Sequence, residues 1–365
     1  MKLGIVGLPN AGKSTLFNAI TKAGAQAANY PFCTIEPNVG VVAVPDERLT
    51  ALEKMYGPKK VVPTSITFVD IAGLVKGASK GEGLGNKFLG HIREVDGIVH
   101  VVRCFADENT IHVEGTVDPL RDIETINTEL ALADLDVLQK KHDNLEKLAT
   151  KTNDEKARVE WEFVKSLIKS LNDTQALSVR SLSEDERKWL NGYQLLRNQP
   201  ILYAANVDEA TAAKPESNPW VGQVKTLAAK EGAQVIVVCA KIEAELAELP
   251  PDEVGAYWAT LGIPESGLQQ LVRTSYALLN LVSFLTAGED ECRAWTIHGG
   301  TKARQAAGKI HSDIERGFIA AEIVAYDALM KAGSMLAAKE KGWVRQEGED
   351  YLMKDGDITN FKFNV

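Results

Sequence analysis

Gly7, Leu8, Pro9, Asn10, Ala11, Gly12, Lys13 and Ser14 follow one another in the order G-x-x-x-x-G-K-S, the pattern of a loop that cradles phosphate. Glycines let consecutive backbone N–H groups converge on phosphate oxygens, and a helix that follows points the positive end of its dipole at the same anion. Asn10, Ala11, Gly12 and Thr15 would then line a nucleotide, Lys13 would reach its β and γ phosphates, and Ser14 would offer a hydroxyl to Mg²⁺. A glycine turn that matches by accident lacks the flanks that this loop has. An apolar run, Leu3 to Val6, precedes it, and Thr15 to Ile20 reads as a helix after it.

Further along the chain stand residues that could complete such a site. Thr34 lies in the proline-bracketed stretch 29–37 and is the candidate threonine to close over Mg²⁺ and the γ phosphate. Asp70 ends the apolar run Ser65 to Asp70 and begins D-x-x-G, which makes it a ligand to Mg²⁺ or its water and Gly73 an amide donor to the γ phosphate. Leu74 occupies the place where many GTPases carry the glutamine that orients water, and a leucine cannot do that. His112 and His91 are the nearby imidazoles able to position water, although each also reads as a structural histidine. At residues 206–209 a GTPase would carry N-K-x-D, with the aspartate accepting from guanine N1–H and N2–H₂. This chain has Asn206, Val207, Asp208 and Glu209. The change removes the short guanine clamp and leaves Asn206 free to face the N6 amine and N7 of adenine, so ATP is expected over GTP. Cys239, Ala240 and Lys241 match the S-A-K turn that stacks over the base.

These residues need a scaffold, and 365 residues suffice for two or three domains. Strand-like runs at 3–6, 40–45, 65–70, 97–102, 200–205 and 234–238 alternate with helical patterns, as in an α/β fold with a mostly parallel, Rossmann-like sheet whose ligands sit at the carboxyl ends of its strands. From Pro119 the apolar spacing turns helical through Ile123, Ile126, Leu130, Ala133 and Val137. Thr152 with Glu155, and Ser183 with Glu186, read as capping boxes, which predicts three inserted helices. The first two read as an antiparallel coiled-coil arm, or else as a helical bundle packed on the main domain. Runs at 281–287, 292–298 and 358–365 around a helix near 303–310 predict a small β-grasp domain. The expected division is 1–118 with 199–278 for nucleotide binding, 119–198 for the helical insert and 279–365 for the tail.

The net charge of −9 argues against a generally basic nucleic-acid binder. Local basic groups remain: Lys302, Arg304, Lys309 and Arg316 in the tail, and Lys140, Lys141, Lys147 and Lys151 in the arm. No run of ~18 apolar residues is present to cross a bilayer. The start resembles no signal peptide, and a cytoplasmic protein without membrane contact is expected. Cys33, Cys104, Cys239 and Cys292 are widely spaced without a C-x-x-C pair, which argues against a zinc site or a disulfide framework.

The stretches GLPNAGKS, YPFCTIEPNVG, DIAGLVKGASKGEGLGNKF, NVDE and DGDITNFKFNV, in this order across essentially the whole chain, resemble the Obg-like ATPase (YchF) family of P-loop proteins. The resemblance implies a P-loop GTPase-like fold that prefers ATP, a coiled-coil insertion, a hydrophobic residue (here Leu74) in place of the catalytic glutamine, and a C-terminal TGS domain, which is ubiquitin-like. Gly308 to Glu315 resembles the TGS signature shared with threonyl-tRNA synthetases. It further implies His112 as the catalytic histidine, association with ribosomes, and a role in translation or stress response. Asn10 sits where potassium-dependent relatives use an asparagine, so K⁺ joins Mg²⁺ as a candidate cofactor. The function expected is a monomeric, slow ATPase switch that contacts ribosomal RNA through the tail and the arm. The alternatives are a nucleotide sensor with negligible turnover and an Obg-type GTPase.

Overall fold

Apolar runs bounded by turn residues become strands here, and those buried on both faces form the centre of a sheet. The structure is a computed structural model that describes residues 1–26, 38–71, 84–107, 115–152, 154–173, 182–263 and 265–364. In chain order its strands are β1 (Lys2–Val6), β2 (Val39–Ala43), β3 (Lys60–Val62), β4 (Ser65–Asp70), β5 (Gly97–Arg103), β6 (Ile201–Asn206), β7 (Gln234–Val238), β8 (Leu281–Ala287), β9 (Glu291–His298), β10 (Phe318–Ala325), β11 (Arg345–Glu347) and β12 (Asp357–Phe363). By internal contacts the chain divides into two units, the first chiefly Met1–Lys22 and Phe68–Leu268, the second chiefly Val41–Thr67 and Gln269–Val365.

The first sheet runs β2-β4-β1-β5-β6-β7, and β1, β5, β6 and β7 are mutually parallel. β5 is buried at every position, as a central parallel strand must be when helices cover both faces. Two of its residues are polar, His100 and Arg103. His100 lies fully buried, tilted against Tyr203 on β6 with ring centroids 5.6 Å apart. Burial lowers its pKa to about 3, and neither ring nitrogen meets a hydrogen-bonding partner among the described residues.

The insert leaves this sheet as the helix Pro119–Lys151, begun by Asp118, whose carboxylate accepts from the backbone N–H groups of Leu120 and Arg121. Its 33 residues span ~50 Å. The helix Glu155–Asn172 packs along it, and Leu138, Leu145, Val164, Leu167 and Leu171 make the seam, joined by Leu190 from the helix Glu184–Tyr193. Ser183 and Glu186 form the expected capping box. Thr152 and Glu155 do not. Asp154 caps the second helix instead, and the Thr152 hydroxyl donates back to the Leu148 carbonyl at 2.6 Å. At the root of the insert, Asp134 accepts from the backbone N–H groups of Leu196 and Arg197, both at 2.8 Å. Its burial pushes that carboxyl up to about 6.

The second sheet runs β11-β10-β12-β8-β9-β3. β8 pairs antiparallel with β9 and parallel with β12, and β12 pairs antiparallel with β10, around the helix Ala303–Ile310. This is the expected β-grasp, with β10 and β11 added to the strands read from the sequence. The sequence reading placed 41–67 in the nucleotide-binding domain, whereas these residues group with the tail's unit. The physical reason is β3, which pairs in parallel with β9 from Lys60↔Glu291 to Val62↔Arg293. Among the described residues no helix is long and apolar enough to cross a membrane, and Cys104, Cys239 and Cys292 are buried free thiols.

Candidate nucleotide site

The phosphate loop turns out of β1 between two backbone conformations that exclude most residues. Asn10 has φ +63° and Gly12 φ +88°, a region that asparagine tolerates and glycine enters without cost. A Cβ on Gly12 would stand 2.1 Å from Asn206 Nδ2, and one on Gly7 would stand 2.7 Å from the Val101 carbonyl oxygen. Both glycines of the motif are therefore required by close approach. The loop closes through Ala11 N–H to the Leu8 carbonyl, and the helix Lys13–Gln26 takes its first bond from Leu16 N–H to Gly12 O.

Because β4 lies beside β1 in the sheet, its terminal residue Asp70 comes to the phosphate loop. The Lys13 ammonium and the Asp70 carboxylate form an ion pair with side chains only 11% and 18% exposed. Ser14 stands exposed in the first helical turn. A hydroxyl and a carboxylate are hard oxygen donors of the kind Mg²⁺ takes. The residue types fit the ion. Thr34, Gly73, Leu74 and His112 lie outside the described residues. His91 is exposed near the end of the helix Leu84–Arg93.

A cavity of about 600 Å³ extends from Asn10, Gly12 and Thr15 to a wall made by Phe105, Val207, Glu209, Cys239, Ala240 and Lys241, a size suited to a small ligand. Asn206 is 3% exposed and is not free as expected. Its Nδ2 donates to the Ala11 carbonyl at 2.9 Å and its Oδ1 accepts from Ala240 N–H at 2.9 Å. A carboxamide has two N–H donors and two lone pairs, so one of each remains for a base. Val207 is equally buried and hydrogen-bonds through its N–H to the Val238 carbonyl, which makes it wall. The Asp208 carboxylate caps the short helix Glu209–Ala212 through Thr211 N–H and Oγ1. The carboxylate of Glu209 lies 3.0 Å from Lys241 Nζ. Cys239 is buried, which pushes its thiol up.

Sequence reasoning missed Phe105 as a wall of this cavity. Its signal was position, since it stands two residues after the end of β5, whose neighbours β1 and β6 carry the phosphate and base loops. The Arg103 guanidinium sits over its ring at 4.7 Å. Behind the base loop, Glu243 accepts from Ser266 Oγ and from the N–H groups of Gly267 and Leu268. Burial pushes that carboxyl up to about 7.

The basic groups are less available than the sequence suggested. Lys302 pairs with Asp350, Arg304 with Glu349, Arg316 with Asp313 and Lys141 with Glu160.

Residues 2–142 match the family model MMR_HSR1, described as "50S ribosome-binding GTPase". Residues 281–364 match YchF-GTPase_C, described as "Protein of unknown function (DUF933)". The chain is 55% identical to the "Ribosome-binding ATPase YchF" of Bacillus subtilis (strain 168) over 99% of each chain. It is 44% identical to the "Obg-like ATPase 1" of Oryza sativa subsp. japonica, over all of this chain and 92% of that one. The "Structure of the Schizosaccharomyces pombe YchF GTPase" superposes with a TM-score of 0.90 at 39% identity, over 99% of this chain and 97% of that one.

Proposed function

The chain belongs to the YchF family, and from that premise we propose that it is a ribosome-binding ATPase, a switch that binds ATP in preference to GTP and hydrolyses it slowly. The observation that carries this reading is the pairing of a complete phosphate loop, whose Lys13 meets Asp70, with a base loop that has Val207 and Glu209 in place of the guanine clamp.

In this reading the amides of Asn10 to Thr15 cradle the phosphates and Lys13 holds the β and γ oxygens. Ser14, Asp70 and Thr34 hold Mg²⁺, which when bound neutralises charge on those oxygens. Gly73 donates its amide to the γ phosphate, His112 positions the attacking water, and Asn10 contributes to a K⁺ site. Asn206, Ala240 and Cys239 form the base-binding side of the pocket beside Val207 and Glu209. Residues 1–118, apart from 41–67, and 199–278 act as the nucleotide-binding domain, 119–198 as a coiled-coil arm and 279–365 as a TGS domain, in a cytoplasmic monomer.

The contact with the ribosome runs through RNA and uses cations of the arm and tail. Lys140, Lys147, Lys151 and Lys309 suit it best, since they make no ion pair among the described residues. A second reading, a nucleotide sensor with negligible turnover, is favoured by Leu74, which cannot orient water. Phosphate release over hours at saturating ATP and at saturating GTP, each with and without ribosomes, tests both. Release that is faster with ATP and accelerated by ribosomes supports the switch. No release under any condition supports the sensor.

A further inference from the structure

Glu209 and Lys241 meet across the wall of the base cavity. Glu209 opens the helix Glu209–Ala212, Lys241 lies in the first turn of the helix Ala240–Leu246, and their charged atoms are 3.0 Å apart. The other carboxylate of the loop, Asp208, is engaged in capping its own helix. Val207 brings no charge. Lys241 is thus the cation that neutralises Glu209, and the carboxylate in turn holds the Lys241 ammonium above its usual range.

The chemistry of the two purines gives this pair a consequence. Glu209 occupies the sequence position from which a carboxylate accepts guanine N1–H and N2–H₂, and charge-assisted bonds of that kind are strong. Adenine presents a lone pair at N1 and no amine at C2. A carboxylate without a counter-charge would therefore attract guanine and repel adenine.

We propose that Lys241 is a specificity-determining positioning residue, which by pairing with Glu209 withholds that carboxylate from guanine and lifts its repulsion of adenine. The proposal rests on the ATP-preferring reading above. Both side chains are half exposed or more, at 65% for Lys241 and 50% for Glu209, so the effect is a few-fold one and is screened by salt.

The test is competition of ATP and of GTP against a fluorescent nucleotide, with Mg²⁺ and the full chain. Lys241→Met keeps the apolar stem and removes the charge, and should raise the GTP-to-ATP affinity ratio about three- to fivefold. Lys241→Arg should keep the wild-type ratio, and adding Glu209→Gln to Lys241→Met should erase the gain. Raising salt from roughly 50 to roughly 500 mM should bring the ratios of wild type and Lys241→Met closer together. An unmoved ratio in Lys241→Met overturns the proposal, as does an equal rise in the double variant or in Lys241→Arg. A wild-type protein that prefers GTP defeats the ATP reading itself. A wild type that prefers ATP beside an unmoved Lys241→Met defeats only the role of Lys241.

Discussion

The carboxamide of Asn206 donates to the carbonyl of Ala11 at 2.9 Å, a bond that joins residues 195 positions apart and ties the base loop to the phosphate loop. Its other end holds Ala240 N–H. One side chain therefore sets the spacing between three segments that line the candidate nucleotide cavity. Positioning of this kind is sensitive to errors of about 1 Å.

Asn206→Ala should then weaken ATP and GTP together rather than change the preference between them. It leaves a buried carbonyl and a buried N–H without their partner, which costs about 1–3 kcal/mol each in the folded protein. Titration calorimetry with both nucleotides and a urea melt measure the two effects. A loss confined to ATP would instead make Asn206 a base reader alone.

Lys13→Ala and His112→Ala should separate binding from turnover. The first removes the cation that reaches the phosphates and should weaken ATP binding. The second should leave the affinity within about twofold and lower single-turnover hydrolysis by about 100-fold or more, as loss of a residue acting only in the transition state does. Full turnover in His112→Ala would pass the role to His91, and His91→Ala would be the next variant.

Stability should fall on the acid side because of His100. Its folded pKa is lowered to about 3 from an ordinary 6.5, so below pH 6.5 the unfolded chain takes up a proton that the folded one refuses. Stability is then lost as pH falls, by about 2 kcal/mol between pH 7 and pH 5 from this group. Asp134 and Glu243 act in the opposite direction, since their raised folded values of about 6 and about 7 let the folded state gain protons first. They are common to wild type and variant and cancel in the comparison. Urea melts of wild type and His100→Phe at both pH values should show the wild type losing about 2 kcal/mol more, whatever the variant's absolute stability. Equal losses would mean that the imidazole protonates in place.

Association with ribosomal particles should be stronger with an ATP analogue than with ADP and should weaken with salt, by about 0.7–0.9 in log–log slope per phosphate contact. Reversing Lys140 and Lys147 should reduce both affinity and slope. Reversing Lys302 or Arg316, which already pair with Asp350 and Asp313, should change them less. Sedimentation across a salt series reads this directly, and binding indifferent to nucleotide and charge would favour the plain sensor.

The phosphate loop, the strand before it and the helix after it were legible in the amino-acid order because the signals that mark them are local, although the close approach that requires Gly7 and Gly12 comes from distant Val101 and Asn206. Gly7 and Gly12 at a five-residue interval, an apolar strand and a helical run are enough. The same holds for the insert, whose apolar stripe repeats every three to four residues, and for the Ser183–Glu186 box. Locality also explains the error at Thr152, since Asp154 offered a competing cap two residues on and a carboxylate accepts from backbone N–H at least as well as a hydroxyl.

What only the tertiary structure decided are pairings between segments far apart in the chain. β3 carries three residues, Lys60 to Val62, and their membership of the tail's sheet depends on β9 being there to receive them. Phe105 becomes a cavity wall only because β5 runs between β1 and β6. Asn206 was read at the base loop as a free side chain, but its two internal bonds depend on where Ala11 and Ala240 come to rest. Glu209 reads from the sequence as a carboxylate that breaks the short guanine clamp, and only the fold shows Lys241, arriving from the end of β7, paired with it. Spacing along a chain encodes which groups are available, while the charge and hydrogen-bonding state of each group is set by neighbours that folding brings from elsewhere.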